Sequence, residues 1–191
     1  MGSREKILQE IQLANTELLV NKEIAEVIGI TFPNKQEQFM NVLQSIGGKV
    51  IVVYDSTEID IFLNNEKQAG KRIATVLNEE VIDLTKEELY TIDIACIKGG
   101  IAVAENGTIW VTEKNMGNRI LPFSTEQLII VIEAKNIVNN MHDAYAAIDI
   151  QENGYGVFIA GPSKTADIEQ SLVIGAHGPT DLIVFIIHHL N

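Results

Sequence analysis

The chain has 191 residues, 46% of them hydrophobic, with a formal charge of -12 and one cysteine, Cys96. That length suits a single domain over residues 1–191 with a core of its own. The acidic surface disfavours phosphate backbones, and a lone thiol excludes an internal disulfide or a thiolate-built metal or iron–sulfur centre. No apolar run approaches the roughly 18 residues of a membrane span, and the charged opening MGSREKILQEIQ is no signal peptide, so a cytoplasmic chain is expected.

In chain order, the first predicted helix runs from Ser3 to Asn15, with Ile7, Leu8 and Ile11 on one face. The next follows Asn34, which can cap it with Glu37 in a capping box; Phe39, Val42, Leu43 and Ile46 share a face, and Gly47-Gly48 stop it. KVIVVY (49–54) reads as a buried strand. RIATVL (72–77) and DIACIK (93–98) are weaker strand candidates. AVAENGTIWV (102–111) carries Asn106-Gly107 between apolar halves and predicts a tight hairpin with Glu105 at its turn. QLIIVIE (127–133), GVFIAG (156–161) and LIVFII (182–187) are apolar runs without alternation, and NNMHDAYAAI (139–148) is a helix capped by Asn139 or Asn140. Unalternating strands belong where both sheet faces are covered. Interleaved with helices, they predict an α/β fold: a three-layer α/β/α sandwich with a mostly parallel sheet. Nearly every side chain of 156–161 and 182–187 is expected to be buried.

GPSKTADIEQSLVIGAHGP (161–179) places many hydrogen-bonding groups between two of those strands. In open α/β sheets, ligands bind beyond the carboxyl ends of strands. A helix starting between Ser163 and Asp167 and ending at Gly175 would offer unpaired N–H groups to an anion, with Ser163, Lys164 and Thr165 adding donors and charge. Thr165 and Asp167 serve equally as plain helix caps, and His177 as a clamp on a loop carbonyl. Glu105 serves equally as a solvated turn residue. There is no GxGxxG fingerprint, Walker loop or HExxH set, and the neighbours His188 and His189 would face opposite ways on a strand, so no metal site is expected.

Three features together resemble one family: AENGT (104–108), Arg119 followed by Pro122, and the 161–179 stretch. They resemble the LUD-domain family, in its lactate-utilisation protein C branch, from about Ala95 to the C-terminus. The resemblance implies a NagB/RpiA/CoA-transferase-like fold and a role in bacterial oxidation of L-lactate to pyruvate. It also implies iron–sulfur clusters held by partner subunits, in keeping with the solitary Cys96, and no cofactor in this chain. Glu105, Arg119, Ser163, Lys164, Thr165, Asp167 and His177 are then expected to converge on one pocket for a small anionic metabolite. Glu105 and His177 would be its catalytic groups and the rest its binding groups. Asn106 stands where the family often has Thr or Ser. Ala-Glu-Asn-Gly is also similar to the Ser-Glu-Asn-Gly signature of class I CoA transferases, whose glutamate attacks an acyl group. The alternative is therefore an independent enzyme acting on an acyl-CoA or phosphorylated metabolite, with Glu105 as nucleophile or base.

Overall fold

The computed structural model describes residues 2–14, 29–77, 82–149, 154–166, 172–174 and 178–188. The helices are α1 (Ser3–Ala14), α2 (Lys35–Ser45), α3 (Thr57–Gln68), α4 (Lys86–Leu89), α5 (Glu113–Met116), α6 (Leu121–Ser124) and α7 (Met141–Ala147). The strands are β1 (Lys49–Val53), β2 (Ile73–Val76), β3 (Ile94–Lys98), β4 (Ala102–Val103), β5 (Thr108–Thr112), β6 (Gln127–Glu133), β7 (Ile137–Val138), β8 (Gly156–Ile159), β9 (Lys164–Ala166), β10 (Leu172–Ile174) and β11 (Asp181–Ile187).

Five strands form an entirely parallel sheet in the order β1-β11-β6-β3-β2. Its two central strands are the runs read as doubly covered: every residue from Leu128 to Ile132 and from Leu182 to Ile187 is buried. Alternate side chains feed two cores. On one face Leu128, Ile130, Ile132, Val184 and Ile186 pack with Phe39 and Leu43 of α2 and with Ile109 and Val111 of β5. On the other, Ile129, Ile183 and Phe185 pack with Ile59, Phe62 and Leu63 of α3. The fold is α/β, with helices on both faces of a parallel sheet.

The expected hairpin is present. β4 pairs antiparallel with β5, and Asn106 Oδ1 accepts from the N–H and hydroxyl of Thr108, an Asx-type turn. Gly107 has φ of +70°, and a Cβ there would lie 3.2 Å from the Leu43 nitrogen, so the turn packs directly on α2. A second sheet grows from this hairpin in the order β7-β4-β5-β8.

Two expectations are corrected. GVFIAG is not part of the parallel sheet: β8 pairs antiparallel with β5 and is partly exposed along its whole length. Its lack of alternation has another cause. Val157 and Ile159 face the core, while Phe158 joins an aromatic cluster on the outer face, 4.9 Å from the Trp110 ring and 5.8 Å from Tyr145. Close contact leaves no room at Gly156, where a Cβ would fall 2.2 Å from the Trp110 ring. Second, no helix begins at Ser163. Lys164–Ala166 is a strand paired antiparallel with Leu172–Ile174.

Cys96 lies in β3, fully buried, and burial pushes its thiol from 9.0 up to about 12. Because the folded value is raised, its contribution to stability is intact below about pH 9 and is lost as pH climbs toward 12. Between pH 9 and about pH 10.5 the loss should reach about 2 kcal/mol. Denaturant titrations of wild type and Cys96→Ala are expected to show the wild-type stability falling more steeply over that range. Parallel curves would contradict the assignment.

Candidate functional site

The residues of 161–164 are organised by the C-terminus of α2. That helix ends with the N–H groups of Gly47 and Gly48 donating to Gln44 O and Leu43 O, as the sequence implied. It carries no basic residue in its last turn. Lys164 supplies one from far along the chain: its Nζ donates to Ile46 O, where the helix dipole favours a cation. Gly161 has φ of +66°, and a Cβ there would meet Ile46 O at 3.0 Å, so only glycine seats this strap against the helix end. Pro162 lies against Gly47.

The two Gly-Pro pairs meet. The Ser163 N–H donates to Pro179 O at 2.8 Å, and Gly178 sits against the Ser163 side chain, where a Cβ would approach its Oγ to 3.1 Å. Behind them is a cavity of about 380 Å³, within the range of roughly 300–1,000 Å³ typical of small-molecule sites. Phe123, Leu128, Phe158 and Leu182 give apolar walls, and Ser163 and Lys164 are its hydroxyl and its cation. Within the described residues, Ser163 Oγ makes no hydrogen bond and Lys164 has no carboxylate partner.

The cavity lies at the amino-terminal ends of the parallel strands, since Leu128 and Leu182 open β6 and β11. The residues just past the carboxyl end of β8 also line it, but β8 belongs to the second sheet, so the expected carboxyl edge of a parallel sheet is corrected. The anion cradle built from a helix N-terminus is corrected too. At Lys164–Ala166 the backbone pairs in the β9–β10 hairpin.

Of the sequence-derived site residues, Ser163 and Lys164 share this cavity. Glu105 and Arg119 lie outside its lining. Glu105 is exposed, and its Oε2 accepts from the Met141 N–H at the first turn of α7. Its turn and the Gly161–Lys164 strap both contact the C-terminal half of α2, the former at Val42–Leu43 and the latter at Ile46–Gly47. Arg119 is committed to a fork on Glu113, with Nε to Oε1 at 2.7 Å and the second nitrogen to Oε2 at 2.8 Å, and its guanidinium lies 4.7 Å from the Tyr155 ring. These hydrogen bonds, reinforced by charge, hold Glu113 below the usual carboxylate range and raise Arg119 in turn. The pair is solvent-exposed and contributes little stability. The side chain of Thr165, and Asp167 and His177 entirely, lie outside the described residues.

Sequence reasoning missed Phe123 and Phe158. Pro122, already noted beside Arg119, was the available signal: it opens the short α6 that brings Phe123 to the cavity. Among the described residues, no group of three His, Cys, Asp or Glu is placed to hold a metal ion, and no helix is long and apolar enough to cross a membrane.

Comparison with known proteins bears on the whole chain. The family model described as LUD domain matches residues 4–187. A Lactate utilization protein C from Geobacillus sp. (strain WCH70) is 37% identical over 75% of this chain and 64% of its own length. The protein of that name from Geobacillus thermodenitrificans is 31% identical over 70% and 60%. An uncharacterized protein of Neisseria meningitidis is 30% identical over 85% of this chain and 71% of its own. The chain thus spans less than two thirds of these two lactate-utilisation relatives. A crystal structure of a DUF162 family protein from Deinococcus radiodurans superposes with a TM-score of 0.64 at 17% identity, over 84% of this chain and all of that one. That likeness concerns the fold alone. With the motifs of 104–108 and 161–179 lying inside the matched range, the chain belongs to the LUD domain family.

Proposed function

We propose that this protein works in lactate utilisation as a binding component, holding a small carboxylate-bearing metabolite in the cavity between the two Gly-Pro pairs. The observation that carries this reading is the similarity to proteins named Lactate utilization protein C over 70–75% of the chain. The cavity supports it with mixed chemistry: apolar walls, the Ser163 hydroxyl and the Lys164 ammonium. Lys164 would orient the carboxylate while keeping its bond to Ile46 O, since an ammonium has three donors. Thr165, Asp167 and His177, adjacent in sequence, would complete the polar side. Glu105 and Arg119 would act from a neighbouring surface, Arg119 only by exchanging its Glu113 partner for the ligand. Oxidation itself would fall to iron–sulfur partner proteins in the cytoplasm. The acyl-transfer alternative draws less support, because the Glu105 carboxylate accepts from the Met141 N–H at the start of α7 and lies outside the cavity lining.

Genetic complementation tests the role. In the native host with the gene deleted, growth on L-lactate as sole carbon source should fail, while growth on glucose should be normal. The wild-type gene should restore it, and Gly178→Val, which would push a side chain onto Ser163, should not. Normal growth of the deletion strain on lactate would refute the role.

A further inference from the structure

One face of the parallel sheet is roofed, among the described residues, by α3 alone. Five strands at about 4.8 Å spacing are about 19 Å across, and a helix covers about 10 Å. On the β2 side the shortfall is a groove of about 700 Å³. Leu63, Ile73 and Ile92 line it with apolar surface; Asp60, Lys67 and Arg72 bring charge. None of those three charges forms an ion pair within the described residues.

The same chain carries a matching surface that is exposed among the described residues. α1 exposes Ile7, Leu8 and Ile11 at 53%, 49% and 52%. Their spacing puts them on one stripe, with Arg4 a turn before and Glu10 at its flank. An apolar helical stripe left in water marks a contact surface.

We propose that α1 of a second copy of this chain docks in the groove beside α3, in a reciprocal two-fold exchange. The charge spacing fixes the direction. With α1 parallel to α3, Arg4 stands opposite Asp60 and Glu10 opposite Lys67. At about 1.5 Å per residue, these separations along the two helices are about 9 Å and about 10.5 Å, so the two pairs match in their spacing along the axes. An antiparallel helix sets Arg4 against Lys67 and Glu10 against Asp60, two like-charge contacts. Ile7 and Leu8 then fall between the charged ends and Ile11 just beyond Glu10, over Leu63, Ile73 and Ile92. Two-fold exchange uses each surface once per copy and closes the assembly.

Sedimentation equilibrium and light scattering on the full chain, from about 1 to about 100 μM, test this. A dimer is expected, with unchanged circular dichroism in all variants. Ile7→Asp with Ile11→Asp should give a monomer. Arg4→Asp with Glu10→Lys, or Asp60→Arg with Lys67→Glu, should each weaken the dimer at least about tenfold, and the four changes together should restore it. A wild-type monomer at the highest concentration would overturn the proposal. So would a dimer indifferent to either charge set, or one that the combined variant fails to restore.

Discussion

Replacing Asn140 by Ala should cost about 2–3 kcal/mol of folding stability. Asn140 is 2% exposed and uses both ends of its amide. Its Oδ1 accepts from the Asp143 N–H and caps α7, while its Nδ2 donates to Ile30 O at 2.9 Å. Gly29 lies so close that a Cβ would reach within 2.4 Å of that amide. The side chain therefore ties the segment entering α2 to the helix behind the Glu105 turn. Removing it takes away the cap, worth about 1 kcal/mol, and strands a carbonyl in a part-buried contact. Asn140→Ser keeps a capping oxygen and should recover about half the loss. Urea titration of the three proteins reads both effects. An Asn140→Ala chain as stable as wild type would show that the entry segment is held by other contacts.

The second large effect is expected at Gly99, buried just after β3. A Cβ there would lie 2.5 Å from Ile132 Cγ2, 2.8 Å from Ile109 Cγ2 and 2.9 Å from Ile130 Cγ2. This is the seam between the parallel sheet and the second sheet. Its three neighbours are β-branched and hold few rotamers, so they cannot turn aside. Gly99→Ala should cost about 1–3 kcal/mol by overpacking, and Gly99→Val more. If the strain is local, the Gly99→Ala/Ile132→Ala double variant should be more stable than the sum of the two single losses allows. Strict additivity would place the strain elsewhere.

The parts of the fold that could be read from the sequence are those where one physical cause dominates. QLIIVIE and DLIVFII are apolar on both sides because the sheet is covered on both sides, and they became β6 and β11. Asn34, Glu37, Gly47 and Gly48 set the ends of α2 by local hydrogen bonds that need no distant partner. GVFIAG misled because two causes give the same pattern: Phe158 is apolar for its ring contacts with Trp110 and Tyr145, not for a buried sheet face. SKTADIE misled because Ser, Thr and Asp permit a helix start without requiring one. Thr165 pairs with Val173 in the backbone register of the β9–β10 hairpin, and β-branched residue types suit extended backbone. α3 was legible and missed: Ile59, Phe62 and Leu63 repeat at helical spacing.

The site was legible as a motif and not as a geometry. The meeting of the two Gly-Pro pairs depends on the Ser163 to Pro179 hydrogen bond, and the commitment of Lys164 to Ile46 O depends on where α2 ends. Both are long-range contacts that no local spacing encodes. Likewise, Arg119 reads in sequence as a free cation, but Glu113, six residues earlier, already occupies it.

Direct binding to the cavity is the measurement that matters most. Trp110 is the only tryptophan in the chain, and its ring lies 4.9 Å from Phe158 in the cavity wall. L-lactate and pyruvate should each be titrated by calorimetry, with Trp110 emission followed in parallel. Saturable binding of at least one is expected, with an emission change on the same curve. Gly178→Val should abolish both signals while leaving thermal unfolding cooperative, and Lys164→Ala should weaken the affinity about tenfold or more, the loss expected when a charged hydrogen-bond partner is removed. No saturable binding of either carboxylate, or binding that Gly178→Val leaves intact, would contradict a carboxylate site between the two Gly-Pro pairs.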